Sequence, residues 1–396
     1  MKNLDAVSFN GKRVLIRVDF NVPLNDNFNI TDDSRILAAV PTIKMVAGGG
    51  GKVILMSHLG RPKNGPENSF SLKHIVNHLS KVLETTVAFS DNCIGETTLT
   101  TANNLQEGDV LLLENLRFHA EEKMGDISFA KQLSDLADIY INDAFGAAHR
   151  SHASTSTIAQ FFPENKYFGL LLEKEIYNLD LVLKNPQKPF TAIIGGSKIT
   201  GKIEVITALL NKVDNLIIGG GMAYTFVKAM GGNIGNSLIE EDKISLAEQL
   251  IGLAKSKGVD LLLPSDSVNA KAFDNSADTN VSDIENIPNG FMGLDIGEKS
   301  IAHFSEIIKN SKTIIWNGPM GVFEMSNFAN GTKRIANAIC RATEKGAYSL
   351  VGGGDSVAAI KKFGLAERVS YTSTGGGAML EYLEGKKLPG IDAILS

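Results

Sequence analysis

Nine arginines occur in this chain of 396 residues, against 30 lysines, and four of the nine follow or adjoin short apolar runs in its first half: Arg35, Arg61, Arg117 and Arg150. Six of the seven histidines also lie before residue 153. His58 and Arg61 fall in HLGRP, directly after one such run, and Asp19 and Asn21 end another in DFN. A guanidinium fork matches carboxylate and phosphate oxygens in a way that a lysine ammonium does not. Any one of these arginines alone reads equally well as a solvated surface or helix-end charge. Four at the ends of apolar runs favour a site for a small, multiply anionic substrate.

The second half carries glycines instead, clustered at 195–196, 219–221, 352–354 and 375–377. Glycine at a strand-to-helix turn lets backbone N–H groups approach a phosphate, and a helix N-terminus adds a favourable field. Gly353 and Gly354 are followed by Asp355 and Ser356, Gly376 sits in another cluster, and Lys198 and Lys202 follow a third. Asp355 could hold a magnesium ion that bridges phosphates. Glycine also serves turns for positive φ alone, so one cluster would say little. Four, with lysines and an aspartate, point to nucleotide phosphates.

Competing motifs are weaker. The segment 196–202 (GSKITGK) fits the G-x-x-x-x-G-K part of a P-loop, but Ile203 stands where that motif needs a hydroxyl for magnesium. No GxGxxG occurs, which counts against a dinucleotide-binding dehydrogenase. His149 and His152 in HRSH lack a third ligand nearby and read as hydrogen-bonding or surface groups rather than a metal site.

These residues need a scaffold, and the apolar runs supply one. They recur at 13–19, 52–58, 110–115 and 139–145, then at 192–196, 216–221, 260–266, 313–319 and 348–355. Continuous rather than alternating apolarity marks a strand buried on both faces. Stretches of helical period lie between them, such as 243–257. The expected class is α/β: two doubly wound, parallel-sheet, Rossmann-like domains, with ligands beyond the carboxyl ends of the strands. The run 170–183 is long enough for about four helical turns, and Pro186 and Pro189 close it. It reads as a helix bridging the two domains.

At this length two domains are the natural prior. A net charge of −5 lacks the basic surplus of a nucleic-acid or anionic-membrane binder. Cys93 and Cys340 are the only cysteines, which suits a reducing compartment without disulfides. The start has no apolar stretch of signal-peptide length, and no run approaches the roughly 18 residues of a membrane helix. The expectation is a cytoplasmic protein.

Nine motifs go beyond generic α/β signals: RVDFNVPL at 17–24, SHLGRP at 57–62, LLENLRF at 112–118, DAFGAAHRSHAS at 143–154, IIGGSKITGKI at 193–203, IIGGGMAYTF at 217–226, WNGPMGVFE at 316–324, VGGGDS at 351–356 and STGGGA at 373–378. In sequence and order they resemble the phosphoglycerate kinases, over essentially the whole chain. The resemblance implies that Asp19, Asn21, Arg35, His58, Arg61, Arg117 and Arg150 bind 3-phosphoglycerate. It implies that Lys198 and Lys202 meet the phosphates of ATP or ADP, with Lys198 following the transferred group. Asp355 would contact Mg2+, with Gly353, Gly354 and Ser356 around the phosphates. Glu324 would bind the ribose hydroxyls, and Gly293 would line the adenosine pocket.

The implied layout is 1–168 for phosphoglycerate, 169–185 as the linking helix, 186–376 for the nucleotide, and 377–396 as a tail returning to the first domain. A monomer, and closure about hinges at 170–183 and 372–377, are further implications. Ser197 and Gly201 depart from the family's usual Ala and acidic residue, which bears on loop flexibility and nucleotide affinity. The acceptor carboxylate would already be ionised, so the reaction needs charge compensation and in-line alignment rather than a general base. Arg35, Lys198 and the turns around Gly353–Gly354 and Gly376 are the candidates to supply them. Two other classes remain to be weighed: a nucleotide-dependent transferase for a different acid, and a binding protein without catalysis.

Overall fold

The computed structural model describes residues 4–63 and 65–396. The chain divides into two compact units, one formed by the described residues up to Ile176 together with Lys387–Ser396, the other by Tyr177–Lys386.

Six strands build the sheet of the first unit: β1 (Arg13–Arg17), β2 (Lys52–Met56), β3 (Val87–Ser90), β4 (Val110–Leu113), β5 (Ile139–Asn142) and β6 (Lys166–Phe168). They are parallel throughout, in the order β3-β4-β2-β1-β5-β6. Successive side chains of a strand face opposite ways, and here both faces are covered. Val14, Ile16, Val53 and Leu55 pack with Ile36 and Ile43 of the helix Ser34–Gly48. Leu15, Ile54, Leu111 and Tyr140 pack on the other face with Phe129 and Leu133 of the helix Ile127–Ser134. Double coverage is why the strands read as unbroken apolar runs.

The second unit repeats the plan with β7 (Phe190–Ile194), β8 (Asn215–Ile218) and β9 (Asp260–Leu262) on one side. After these, β10 (Asp266–Ala270), β11 (Thr279–Asp283) and β12 (Met292–Ile296) form a separate antiparallel sheet in the order β11-β10-β12. Then β13 (Thr313–Asn317), β14 (Tyr348–Val351) and β15 (Tyr371–Thr372) complete the parallel order β15-β14-β13-β7-β8-β9. In each large sheet the chain winds one way from the first strand and then returns to its other side. That leaves a crevice between β1 and β5, and another between β7 and β13, where such sheets bind ligands.

The helix Leu170–Lys184 carries the chain from one unit to the other. Asp143, just past β5, caps its start: Oδ1 accepts from the N–H groups of Leu171 at 2.9 Å and Leu172 at 3.1 Å. Burial pushes this carboxyl up to about 6, against the opposing pull of those bonds and of Thr42. A carboxyl harder to ionise in the folded than in the unfolded chain stabilises the fold below its unfolded pKa. That contribution is lost as pH rises through the folded value. The stability advantage of the parent over Asp143→Asn should therefore shrink by up to about 3 kcal/mol between about pH 4 and about pH 7. Denaturant unfolding of both proteins measures it; a pH-independent difference would mean that Asp143 is ionised throughout.

The expected tail at 377–396 is divided by the structure. The helix Gly377–Leu383 packs in the second unit, where Tyr382 donates to Asp180 Oδ1 at 2.8 Å and Met379 fills the space beside Gly352. Only Lys387–Ser396 belongs to the first unit. There Gly390 N–H donates to Ala148 O at 2.8 Å, and Asn142 Nδ2 donates to Gly390 O at 3.1 Å.

Candidate active site

In the first unit the carboxyl ends of β1, β2, β4 and β5 each deliver part of a cationic cluster. Arg17, the last residue of β1, is fully buried; its Nε donates to Ser154 Oγ at 2.8 Å and its NH2 to His58 Nδ1 at 3.1 Å. Asp19, two residues on, accepts from Arg35 NH1 at 3.0 Å, and the same nitrogen donates to Asn21 O at 3.2 Å. Arg35 itself lies in the first turn of the helix Ser34–Gly48 and returns to the strand end from there. Asn115, past β4, ties two loops together: Oδ1 accepts from Leu59 N–H at 3.2 Å and Arg117 N–H at 3.0 Å, and Nδ2 donates to Leu59 O at 2.7 Å. Gly60 N–H donates to Asn21 Oδ1 at 2.8 Å, and its carbonyl accepts from Arg117 NH1 at 2.6 Å. With φ +61° and a Cβ that would fall 2.2 Å from the Phe70 ring, that position admits only glycine.

The electrostatics record how closely the cations gather. His58 is held well below its ordinary value, first by burial and then by Arg17, Arg117, Arg150 and Arg35. His152 is pushed down to about 4 by burial, Arg17, Arg117 and Arg150, and Arg117 to about 10 by burial, Arg150 and Arg17. A neutral His58 accepts from Arg17 on Nδ1, so its 3.9 Å approach to Asp19 is not an ion pair. Buried Glu122 opposes the positive charge, accepting from Ser154 N–H at 3.0 Å and Ser154 Oγ–H at 2.7 Å. Arg150 is half-buried, with its Nε 3.3 Å from His149 Nε2, while Arg61 is exposed. A cluster of like charges with few carboxylates is relieved by a bound anion of several charges.

In the second unit a cleft of about 440 Å3 opens at the crevice between β7 and β13. Gly196, Gly220 and Gly221 line one part; Leu238, Phe273, Leu294 and Val322 form apolar walls. The size and mixed lining suit a nucleotide. Gly293 lies against Tyr224: a Cβ there would fall 2.0 Å from the Tyr224 hydroxyl, so a side chain would displace a lining residue.

Of the nucleotide-side residues expected from the sequence, Gly293, Glu324 and Asp355 line the cleft, while Lys198, Lys202, Gly353, Gly354, Ser356 and Gly376 are not part of its wall. Lys202 Nζ donates to Asn317 Oδ1, and burial pushes the ammonium down to about 8, opposed by the Asp355 carboxylate. Asp355 is exposed in the first turn of the helix Gly354–Lys362, which Gly353 precedes. Ser356 is buried and accepts from Gly318 N–H, so it knits the loop after β13 to that helix. Lys198 is exposed, and Gly376 precedes the helix Gly377–Leu383.

Arg17, Glu122, Ser154 and Asn317 carry no role in the sequence reading. Arg17 left a signal, a charge at the end of an apolar run, where buried arginine is uncommon. Asn317 left a similar signal at the end of TIIWN, whereas Glu122 and Ser154 sit among polar neighbours and nothing local distinguishes them.

A family profile described as Phosphoglycerate kinase matches residues 4–386. The chain is 52% identical to "Phosphoglycerate kinase" of Porphyromonas gingivalis over 415 residues, covering 99% of each protein. It is 54% identical to "Phosphoglycerate kinase 3, cytosolic" of Arabidopsis thaliana over 391 residues, covering 99% of this chain and 97% of that one. Among solved structures, phosphoglycerate kinase from Coxiella burnetii superposes with a TM-score of 0.89 at 40% identity, covering 99% of this chain and 98% of the other. The Pyrococcus horikoshii enzyme gives 0.87 at 30% identity, with 100% and 98% covered. With one cationic cluster and one nucleotide-sized cleft at the crevices of two parallel sheets, the chain belongs to the phosphoglycerate kinase family, which transfers a phosphoryl group between ATP and the carboxyl group of phosphoglycerate.

Proposed function

We propose that the two sites divide the reaction between them. The first unit holds 3-phosphoglycerate, or 1,3-bisphosphoglycerate in the direction that makes ATP. Its phosphate meets Arg61, Arg117 and Arg150, and its polar backbone meets Asp19, Asn21 and His58. Arg35 faces the carboxyl end. The second unit holds ATP or ADP, with the base against Gly293, the ribose at Glu324, and the phosphates near Lys202, Gly353, Gly354 and Ser356. The observation that carries this reading is the gathering of Arg17, Arg35, Arg117 and Arg150 about the carboxyl ends of one sheet, where burial first and then those four charges hold His58 below its ordinary value.

The acceptor is a carboxylate, ionised at neutral pH, so no base need remove a proton. Arg35 and Lys198 offset the charge that builds between donor and acceptor oxygens, and the N–H groups about Gly353 and Gly376 add to the field. Among the described residues no three His, Cys, Asp or Glu converge into a metal cage. Asp355, an exposed carboxylate next to Gly353 and Gly354, is the residue that would hold a magnesium ion. Bound there, magnesium would neutralise part of the phosphate charge. Transfer also needs the two sites brought face to face with water excluded, by bending about the helix Leu170–Lys184 and residues 372–377. Both substrates together should reduce the radius of gyration in solution scattering; unchanged dimensions would count against bending.

Lys202 is cationic below about pH 8, so its attraction for phosphates is present below that value and lost as pH rises through it. The KM for ATP should rise severalfold between about pH 7 and about pH 9. Lys202→Arg, charged throughout, should abolish the rise; a flat profile in the parent would remove Lys202 from phosphate binding.

The deciding experiment is magnesium-dependent ADP formation from ATP with 3-phosphoglycerate, coupled to a dehydrogenase that consumes the acyl phosphate. Turnover that requires 3-phosphoglycerate supports the reading, and ATP consumption without it overturns it. A cytoplasmic monomer is the setting we propose. Two buried free thiols, a net charge of −5 and the resemblance to a cytosolic relative support it.

A further inference from the structure

The loop that carries Lys198 and Lys202 is held from outside itself. Within residues 197–202 the chain makes one backbone bond of its own, Lys202 N–H to Ile199 O at 2.8 Å, and a Cβ built on Gly201 would meet open space. The N–H groups of Ile199 and Thr200 both donate to Glu240 Oε2, at 2.5 and 3.3 Å. The Thr200 hydroxyl donates to Glu240 Oε1 at 2.5 Å. A single carboxylate, remote in sequence, thus takes three donors from the turn between the two lysines. Glu240 is anchored in its own right: its N–H donates to Thr225 Oγ1 at 3.3 Å, and Thr225 is buried in the helix Ala223–Ala229. The segment leading to Glu240 also supplies Asn236 and Leu238 to the wall of the nucleotide cleft.

We propose that Glu240 is a positioning residue for phosphoryl transfer, pinning the 197–202 loop so that Lys198 is presented to the nucleotide, and linking that loop to the cleft wall formed by Asn236 and Leu238. The inference rests on the role given to Lys198 above. An exposed lysine on a glycine-containing loop samples many positions, and each one away from the transferring group is lost to catalysis. Two backbone N–H groups and a hydroxyl converging on one carboxylate remove that freedom without touching the substrate. The bonds to a charged acceptor are also stronger than those to a neutral one.

The test is a kinetic cycle on the full chain. Glu240→Ala should lower kcat by about 10- to 100-fold, with the KM for 3-phosphoglycerate within about twofold of the parent. Glu240→Gln keeps one acceptor oxygen for the backbone donors and should fall between the two, which also covers the case of an alanine variant that does not fold. Because Glu240 acts through Lys198, adding Glu240→Ala to Lys198→Ala should change kcat by less than about twofold. A residue that only stabilised the fold would lower the yield of folded enzyme and leave kcat per ADP-binding site unchanged. Parent-like kcat in both Glu240 variants, or additive losses in the double variant, overturns the inference. If Lys198→Ala itself keeps parent-like kcat, the lysine's role fails and this inference with it. A crippled Lys198→Ala beside a parent-like Glu240→Ala would sink the Glu240 inference alone.

Discussion

Arg35→Ala is expected to lower kcat about a thousandfold, equivalent to about 4 kcal/mol of transition-state stabilisation. Among the described residues one nitrogen of its fork is engaged, NH1, which donates to Asp19 Oδ2 at 3.0 Å and Asn21 O at 3.2 Å. These bonds aim the guanidinium, and the side chain stays 36% accessible. The remaining N–H groups can meet oxygens that gain charge as the phosphoryl group moves. In the proposed reading Arg61, Arg117 and Arg150 bind the phosphate in the ground state, so the KM for phosphoglycerate should rise far less than kcat falls. Arg35→Lys keeps the charge but loses the fork, and should recover only part of the rate. Steady-state kinetics at saturating ATP decides the matter. A kcat within a few fold of the parent would leave Arg35 as the ion-pair partner of Asp19 and nothing more.

Lys198→Ala should cost about 100- to 1,000-fold in kcat, comparable to removing one preorganised donor from a developing negative charge. Its nucleotide affinity should stay near that of the parent, because Lys202 and the turns at Gly353 and Gly354 remain. Lys202→Ala should show the opposite balance, a raised KM for ATP with a smaller change in kcat. Lys202 is partly buried and held by Asn317, whereas Lys198 is exposed on the loop that Glu240 pins. ADP titration together with single-turnover kinetics separates the two. Equal effects on binding and turnover at both lysines would show that they act as one electrostatic patch.

The parallel strands were legible because burial on both faces leaves an unbroken apolar run, as in VLLL of β4 and TIIWN of β13. The small antiparallel sheet was not. In β11, TNVSD, burial alternates between exposed and intermediate, and its polar composition looks like loop. Edge strands β3, β6 and β15 are two to four residues long, too short for periodicity to register. The segment GAMLEYL shows in sequence only an amphipathic helix. Whether that helix packs in one unit or the other depends on Asp180 and Gly352, both remote in the chain.

By itself the sequence determined the α/β class, the places where strands give way to glycine-rich or cationic turns, and the family, since each is written in contiguous residues. Only the tertiary structure decided which turns share a crevice. Strand order places β5 beside β1 and β13 beside β7, and so brings Arg150 into the electrostatic field of His58, and Asn317 into contact with Lys202. The same holds for Arg17 bonded to Ser154 and for Glu240 bonded across to Thr200. Local pattern records what each residue prefers, burial or solvent. Hydrogen bonds between residues 40 or more positions apart depend on how sheets are wound, which no short stretch of sequence contains.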